Sequence, residues 1–458
     1  MNQAPTAGIS RNVIFAIVAL ALLMMAVDST IVATALHAIQ QGLDTSINLA
    51  SWTITAYSFG FVLMLPVSGK LAERFGKRRV FLVSTLVFTL ASLGCGLAND
   101  IYVLIALRAL QAAGGAGFTP TATGIIVDHF GAARDRYVSL FGSIFPIGAM
   151  IGPIFGGYFV AYTSWRDVFH VNIPIGLAIL LLAWHYIPRD AGRAPTVARS
   201  MDAPGILLLG ASLLSGMLAA TILGESHESV WLIVLFCGLA LACLLLFLRH
   251  IHRVSAPFIQ PRFIYGTNFG VVNLVNMVFT GFIIGAMALV PLYAANRYGI
   301  SALGSGTLLT AQGVAAMVCS IAAVILLRRT GYRLPLYAGS VVTIVGLVLL
   351  ALPAAGHIDP YTWLAFAAFL VGAGNGAINP AMRNAGLQLA PESSSMLAAL
   401  RSLSLQVGAI MTISILAALM AREGDVGLVL AWAYAAFALI RLLALWLVRF
   451  VPEQRGAW

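Results

Sequence analysis

Residues 12–34 read NVIFAIVALALLMMAVDSTIVAT, an apolar run broken by one charge, Asp28. A helix needs about 20 mostly apolar residues to cross the hydrocarbon core, so this run is long enough to span a bilayer. It is longer than the roughly 7–15 residue apolar core of a signal peptide, and it carries an acid. The Ala33-Thr34-Ala35 segment after it is therefore read as helix, not as a cleavage site.

Runs of the same kind recur along the chain, near 12–34, 49–68, 80–98, 101–127, 137–161 and 168–187, then near 203–223 and 229–250. Six more lie near 268–295, 302–327, 335–354, 361–389, 397–420 and 427–450. The expected fold is all-α and integral to the membrane: six-helix bundles at 1–188 and 263–458, and a linker plus two inserted spans at 189–262. Composition agrees, because 60% hydrophobic and 9% charged residues lie far from the roughly 25% charged content of soluble chains. A soluble enzyme, a disordered chain and, since the 44 glycines follow no three-residue period, a collagen are all excluded.

The net charge of +10 does not point to nucleic acid, because the cations sit in short clusters between apolar runs and form no stripe with interleaved aromatics. Those clusters decide orientation. About 21 of the 26 Lys and Arg fall on the side of the N-terminus, and short loops rich in positive charge stay cytoplasmic. Both termini are therefore expected inside. The clusters are Lys70 to Arg79, Arg134 and Arg136, Arg189 to Arg199, Arg249 to Arg262 and Arg328 to Arg333; Asp44, Asp100, Glu225, Glu228 and Asp359 mark the opposite loops. Cys95, Cys237, Cys243 and Cys319 lie within or at the ends of apolar runs, with no CxxC and no histidine at ligand spacing. They read as packing thiols, and no metal site or cofactor is expected.

A charge at the bilayer centre costs about 3 kcal/mol on insertion scales, so Asp28 is the first candidate for function. It lies about 24 Å from the cytoplasmic edge of an outward-running span; Arg108 lies about 10 Å below the outer edge of the inward-running fourth span. The two reach similar depth. Such a pair reads either as a switch, opened by a proton or a substrate cation, or as a static ion pair that fixes packing. Arg441, near the middle of the last span, has no obvious acid to meet and reads as a snorkelling cation. His170 and His185 read as interfacial.

In the fifth span Gly148, Gly152 and Gly156 recur every four residues, beside Pro153 and Gly157. That makes one helix face nearly bare backbone, open to close packing, with a bend at the proline. Between the second and third spans stands GKLAERFGKRR, residues 69–79, where Gly69 and Gly76 allow a tight turn and Glu73 sits among bases.

Together these segments resemble the major facilitator superfamily, and within it the fourteen-span drug:proton antiporters. Residues 69–79 are similar to the loop signature G-x-L-a-D-r-x-G-r-r, with Glu73 for the usual Asp. The run from Gly148 to Gly157 matches the antiporter signature G-x-x-x-G-P-x-x-G-G. Residues 28–32 resemble l-D-x-T-i-v, and Arg108 to Gln111 with Gly114 resemble R-x-x-Q-G-x-G. Trp52 to Tyr57 and Trp165, Arg166, Phe169, Asn172, Pro174 and Gly176 look like two further segments of that branch. The resemblance implies that Asp28 is the proton or cation site with Arg108 as partner. It implies that the fifth-span glycines seal and hinge the halves, and that Gly69, Glu73, Gly76, Lys77 and Asp128 build a cytoplasmic gate. His37 in place of proline, Ala112 in place of glycine and the degenerate repeat at 328–333 depart from the pattern.

A cavity for a small-molecule substrate is expected between the halves, mostly apolar with a few orienting polar groups. Its candidates are Trp52, Tyr57 and Gln111 from the first half and Asn273, Asn276, Gln312, Asn375 and Asn379 from the second; each also reads as a side chain satisfied between helices. The expected function is proton-coupled export of amphipathic cationic or neutral compounds, with protons as the coupling ion. Two alternatives stay open: export or flipping of an endogenous metabolite or lipid-like molecule, and, more remotely, a channel or scaffold. Expected partners are membrane lipids and the substrate, with no nucleic acid. A monomer in the bacterial cytoplasmic membrane is expected, and attachment of a periplasmic adaptor stays open. No P-loop, HExxH or GxSxG in a plausible setting supports ATP-driven transport or catalysis.

Overall fold

The computed structural model describes residues 11–190, 202–223, 230–266, 268–300, 302–354, 358–422 and 425–453. Most of the expected linker, 191–201, and the acids Glu225 and Glu228 lie outside them. Among the described residues the regular structure is helical, with no strand.

The first compact unit comprises 1–197 and 393–399. Its helices are α1 (Arg11–Gly42), α2 (Ile47–Phe75), α3 (Lys77–Leu97), α4 (Ile101–Gly115), α5 (Phe118–His129), α6 (Arg134–Tyr162), the single turn α7 (Asp167–His170) and α8 (Asn172–Tyr186). Their ends follow local chemistry. Ser46 opens α2 by accepting the Leu49 N–H, and Asp100 opens α4 by accepting those of Tyr102 and Val103, which satisfies donors the first helical turn leaves free. Between α2 and α3 the chain turns at Gly76, whose φ of 96° side-chain-bearing residues rarely adopt. The break between α4 and α5 falls where Gly114 and Gly117 crowd the α3 backbone and Ser84, and Gly115 faces the Phe88 ring. A core of Ile31, Ile39, Leu104 and Phe169 holds α1, α4 and α7 together.

The second unit comprises 198–392 and 400–458. It begins with the inserted pair, α9 (Ala203–Leu223) and α10 (Val230–Ile251), which pack on each other. There follow α11 (Pro261–Tyr265), α12 (Phe269–Asn276), α13 (Phe282–Ala288), α14 (Val290–Tyr298), α15 (Ala302–Thr330), α16 (Arg333–Ala351), α17 (Pro360–Leu389), α18 (Ser394–Arg422) and α19 (Val426–Ala444). The span expected near 268–295 is thus interrupted. One π turn, Met277–Gly281, separates α12 from α13, and Pro291, which cannot donate, begins a new helix after Leu289. The core falls into two clusters, one around Tyr293, Leu347, Leu364 and Tyr434, the other around Val275, Tyr332, Leu336 and Met382.

Thirteen helices of the described residues, with α4 joined to α5, α7 to α8 and α12 to α13 through the π turn, are long and apolar enough to cross a membrane, and α9 is apolar over its 21 residues. α10 is apolar on all sides and carries exposed Leu235, Leu239 and Leu245, a surface suited to lipid. This is a multi-pass membrane protein.

The inserted pair is tied at one end by Asp202, an L-residue at φ 44°. Its carboxylate accepts the N–H groups of Gly205 at 3.2 Å and Phe258 at 2.7 Å and lies 2.6 Å from His250 Nε2. Burial works to raise its pKa, but the His250 hydrogen bond, the two backbone N–H groups and the His250 charge outweigh it. They hold the carboxyl below its ordinary range.

A buried carboxylate and its donors

Asp28 sits in mid-α1 with no solvent exposure. Arg108 Nη1, from α4, donates to its Oδ2 at 2.9 Å, and Gln111 Nε2, one turn further on α4, donates to its Oδ1 at 2.8 Å. Asn172 Nδ2, at the start of α8, donates to the same Oδ1 at 2.8 Å. A carboxylate has about four lone-pair positions, and three are filled here by side-chain donors from two other helices.

The donors are themselves held. Gln111 Oε1 accepts from Arg108 Nη1 at 2.6 Å, and its amide also donates to Ser92 Oγ of α3 at 2.7 Å, so both amide donors and the carbonyl are used. Arg108 stacks over the Tyr57 ring of α2 at 4.2 Å and faces Phe169 at 5.6 Å. The guanidinium is therefore kept in place by an ion pair, an amide and two aromatic faces, in a setting where low dielectric strengthens all of them. Protonation of Asp28 would remove the negative charge and leave Arg108 with its amide and ring contacts, a change confined to one or two bonds.

The glycine face of α6 lies on the same stretch of α1. A Cβ on Gly148 would strike Ala26, one on Gly152 would strike Thr30 and the Val27 carbonyl, and one on Gly156 would strike Thr34 and the Ile31 carbonyl. Thr30 Oγ1 also reaches the Gly148 carbonyl at 3.4 Å. Pro153 and Gly157 fall on the other side, exposed, and a Cβ on Gly157 would meet nothing. The helical period thus splits the motif into a packing face and an open face.

Of the residues read as a gate, Lys77 and Asp128 form an ion pair at 2.7 Å, and Lys77 Nζ also donates to the Gly124 carbonyl at 3.3 Å. Glu73 is exposed at the end of α2, and Gly69 packs against Met396 and Ala399, in the 393–399 segment of the same unit. Asp190 was not anticipated. Its Oδ1 accepts the N–H groups of Lys77 and Arg78 at 3.1 and 3.3 Å, and its carboxylate fills the space a side chain at Gly76 would need.

The expected cavity residues divide. Gln111 belongs to the Asp28 network, and Tyr57 stacks on Arg108. Trp52 packs edge-on against Phe59, and Asn273 donates to the Phe263 carbonyl at 2.8 Å. Asn276 donates to the Arg401 carbonyl at 3.0 Å, and Asn379 accepts from Arg401 Nη2 at 2.7 Å. Asn375 Oδ1 is buried without a partner, and Gln312 is half-buried where α15 meets Gly372. Arg441 does not snorkel: it is 1% exposed and donates at 2.7 Å to the Phe279 carbonyl, in the π turn, with its charge over the Phe279 ring. His170 lies beside Asp167 at 3.0 Å. Among the described residues no group of His, Cys, Asp and Glu could hold a metal ion.

The profile of the Major Facilitator Superfamily matches residues 18–410. A multidrug resistance protein B homolog of Mycobacterium tuberculosis is 31% identical over 395 residues, 85% of this chain and 72% of that protein. A multidrug transporter of Bacillus subtilis, MdtP, is 30% identical over 72% of this chain and 61% of its own length. The methylenomycin A resistance protein of Streptomyces coelicolor is 28% identical over 95% of this chain and 91% of its own. Among solved structures, the human organic anion transporter MFSD10 superposes with a TM-score of 0.70 at 15% identity, over 97% of this chain and all of that one. The proton:xylose symporter XylE gives 0.68 at 14%, over 97% and 96%. At such identities these two likenesses concern the fold alone.

Proposed function

The chain belongs to the major facilitator superfamily, and from that membership we propose that it is a proton-coupled antiporter that exports amphipathic compounds across a bacterial cytoplasmic membrane. Relatives named for multidrug resistance and multidrug transport support drug efflux. The observation that carries proton coupling is the Asp28 network: a carboxylate with no solvent exposure, deep in a span and paired with Arg108. When a proton neutralises Asp28 and the ion pair opens, Arg108 keeps Gln111 and Tyr57 as partners.

In this reading an inward-moving proton binds Asp28, the Asp28–Arg108 pair opens, and the first unit changes state by alternating access. Loss of the proton on the cytoplasmic side restores the pair. The Lys77–Asp128 ion pair then works as a cytoplasmic latch, and the Gly148–Gly156 face lets α6 move closely along α1. The protein works as a monomer, with the proton as coupling ion and no cofactor.

The test uses inverted vesicles carrying an imposed pH gradient, to which a panel of amphipathic compounds is added one at a time. Antiport of any of them shows as partial collapse of the gradient. The collapse is expected with wild type and absent with Asp28→Asn; a mutant that still dissipates the gradient fully on compound addition removes Asp28 from coupling.

A further inference from the structure

Among the described residues of the second unit, Arg383 and Arg401 are two arginines that no acid answers. Arg383 of α17 is 7% exposed, Arg401 of α18 is half-buried, and Arg401 Nη2 donates at 2.7 Å to Asn379, one helical turn before Arg383 on α17. Among the described residues neither forms an ion pair, and the Nε of each is buried without a hydrogen-bond partner. Two neighbouring cations, one buried and one half-buried, repel each other and lose hydration, so the arrangement calls for a negative charge that the described residues do not supply.

The neighbours are built to hold the pair in place. Asn379 Oδ1 accepts from Arg401 Nη2 at 2.7 Å, and Asn276 anchors the Arg401 carbonyl at 3.0 Å. Asn375, Asn379 and Arg383 recur every four residues along α17 and so share one helix face. Asn375 adds a buried, unpartnered Oδ1 to that face. The site therefore offers two forked cations and amides to orient a ligand. Arg441 differs: it is 1% exposed, and its guanidinium is held by the Phe279 carbonyl and ring.

We propose that Arg383 and Arg401 receive a negatively charged group, a carboxylate, sulfonate or phosphate, on the transported compound, whose substrates are accordingly anionic or zwitterionic amphiphiles instead of simple lipophilic cations. This rests on the exporter reading given above. Guanidinium forks match such planar or tetrahedral oxyanions by paired hydrogen bonds, which a lysine cannot reproduce.

The experiment is calorimetric titration of the full chain in nanodiscs with two probes sharing one ring, 2-naphthylacetate and (2-naphthylmethyl)trimethylammonium. Wild type is expected to bind the carboxylate at least about tenfold more tightly, and inorganic phosphate to compete with it. Arg383→Gln and Arg401→Gln should each lose about tenfold or more in carboxylate affinity, Arg383→Lys less, and Arg449→Gln, an exposed control, nothing. Equal affinity of wild type for both probes overturns the proposal, as do folded Gln variants that bind the carboxylate like wild type. Should those variants fail to fold, the wild-type preference and the phosphate competition still decide.

Proteoliposomes separate the two readings. Arginine-dependent carboxylate binding with no proton-driven transport of either probe leaves the site standing and removes the exporter. Proton-driven export of the ammonium probe without carboxylate binding does the reverse.

Discussion

At the scale of single residues, the Asp28–Arg108 pair is an energetic commitment that only its partners justify. Breaking a buried pair from one side leaves an uncompensated charge and costs about 3–5 kcal/mol, whereas replacing both members is often close to neutral. Arg108→Gln is therefore expected to lower the thermal midpoint in detergent strongly. The Asp28→Asn/Arg108→Gln double variant is expected to recover most of that loss while remaining uncoupled. A double variant as unstable as Arg108→Gln alone would show that Arg108 packs Tyr57 and Phe169 more than it serves Asp28. The pair itself was legible in the sequence, because rise per residue places both groups at similar depth. Asn172 was visible only as part of a family segment and not as a donor, since it lies 144 positions from Asp28 and no local spacing links them. Nothing in the linear sequence singles out Arg383 and Arg401; what sets them apart is the missing acid, which only the packing of the helices reveals.

At the scale of elements, the glycine motif of α6 was readable as a packing stripe, but which glycines pack depends on the partner helix. Gly156 and Gly157 make the sharpest contrast: a methyl on the first meets the Ile31 carbonyl and Thr34, and one on the second meets open space. Overpacking costs about 1–3 kcal/mol, so Gly156→Ala is expected to lower the thermal midpoint and the transport rate while Gly157→Ala changes both little. Equal effects would mean that α6 does not seat on α1 through this face. The inserted pair carries a second prediction. Because Asp202 titrates below its ordinary value when folded, its stabilisation is complete above that value and is lost as pH falls through the lower, folded one. Stability in detergent should therefore drop on the acid side, below about pH 4, and Asp202→Asn should be less stable near neutrality with a shallower acid limb. An unchanged acid limb would place the acid sensitivity elsewhere. The Asp202 junction was not foreseen, for His250 and Phe258 are 48 and 56 positions away.

At the scale of the whole molecule the open quantity is parity. The distribution of Lys and Arg leads to the expectation that both termini are cytoplasmic, which needs an even number of crossings; thirteen described helices meet the length for crossing, and α9, apolar over 21 residues, would make fourteen. The side on which Arg253 lies decides the matter. If α9 and α10 both cross, Arg189 before them and Arg253 after them face the same compartment; if α9 stays in the interface, Arg253 faces the other. Both residues are exposed, as is Asp44 between α1 and α2, so single cysteines can be placed there in a variant lacking the four native ones. With a membrane-impermeant maleimide on whole cells, Asp44→Cys should label at once. Arg189→Cys and Arg253→Cys should label only after the membrane is opened. Labelling of Arg253→Cys in intact cells, with Arg189→Cys still protected, would remove α9 from the spans and invert every later helix. The second unit's arginines would then face outward, and export could not begin by cytoplasmic capture at Arg383 and Arg401.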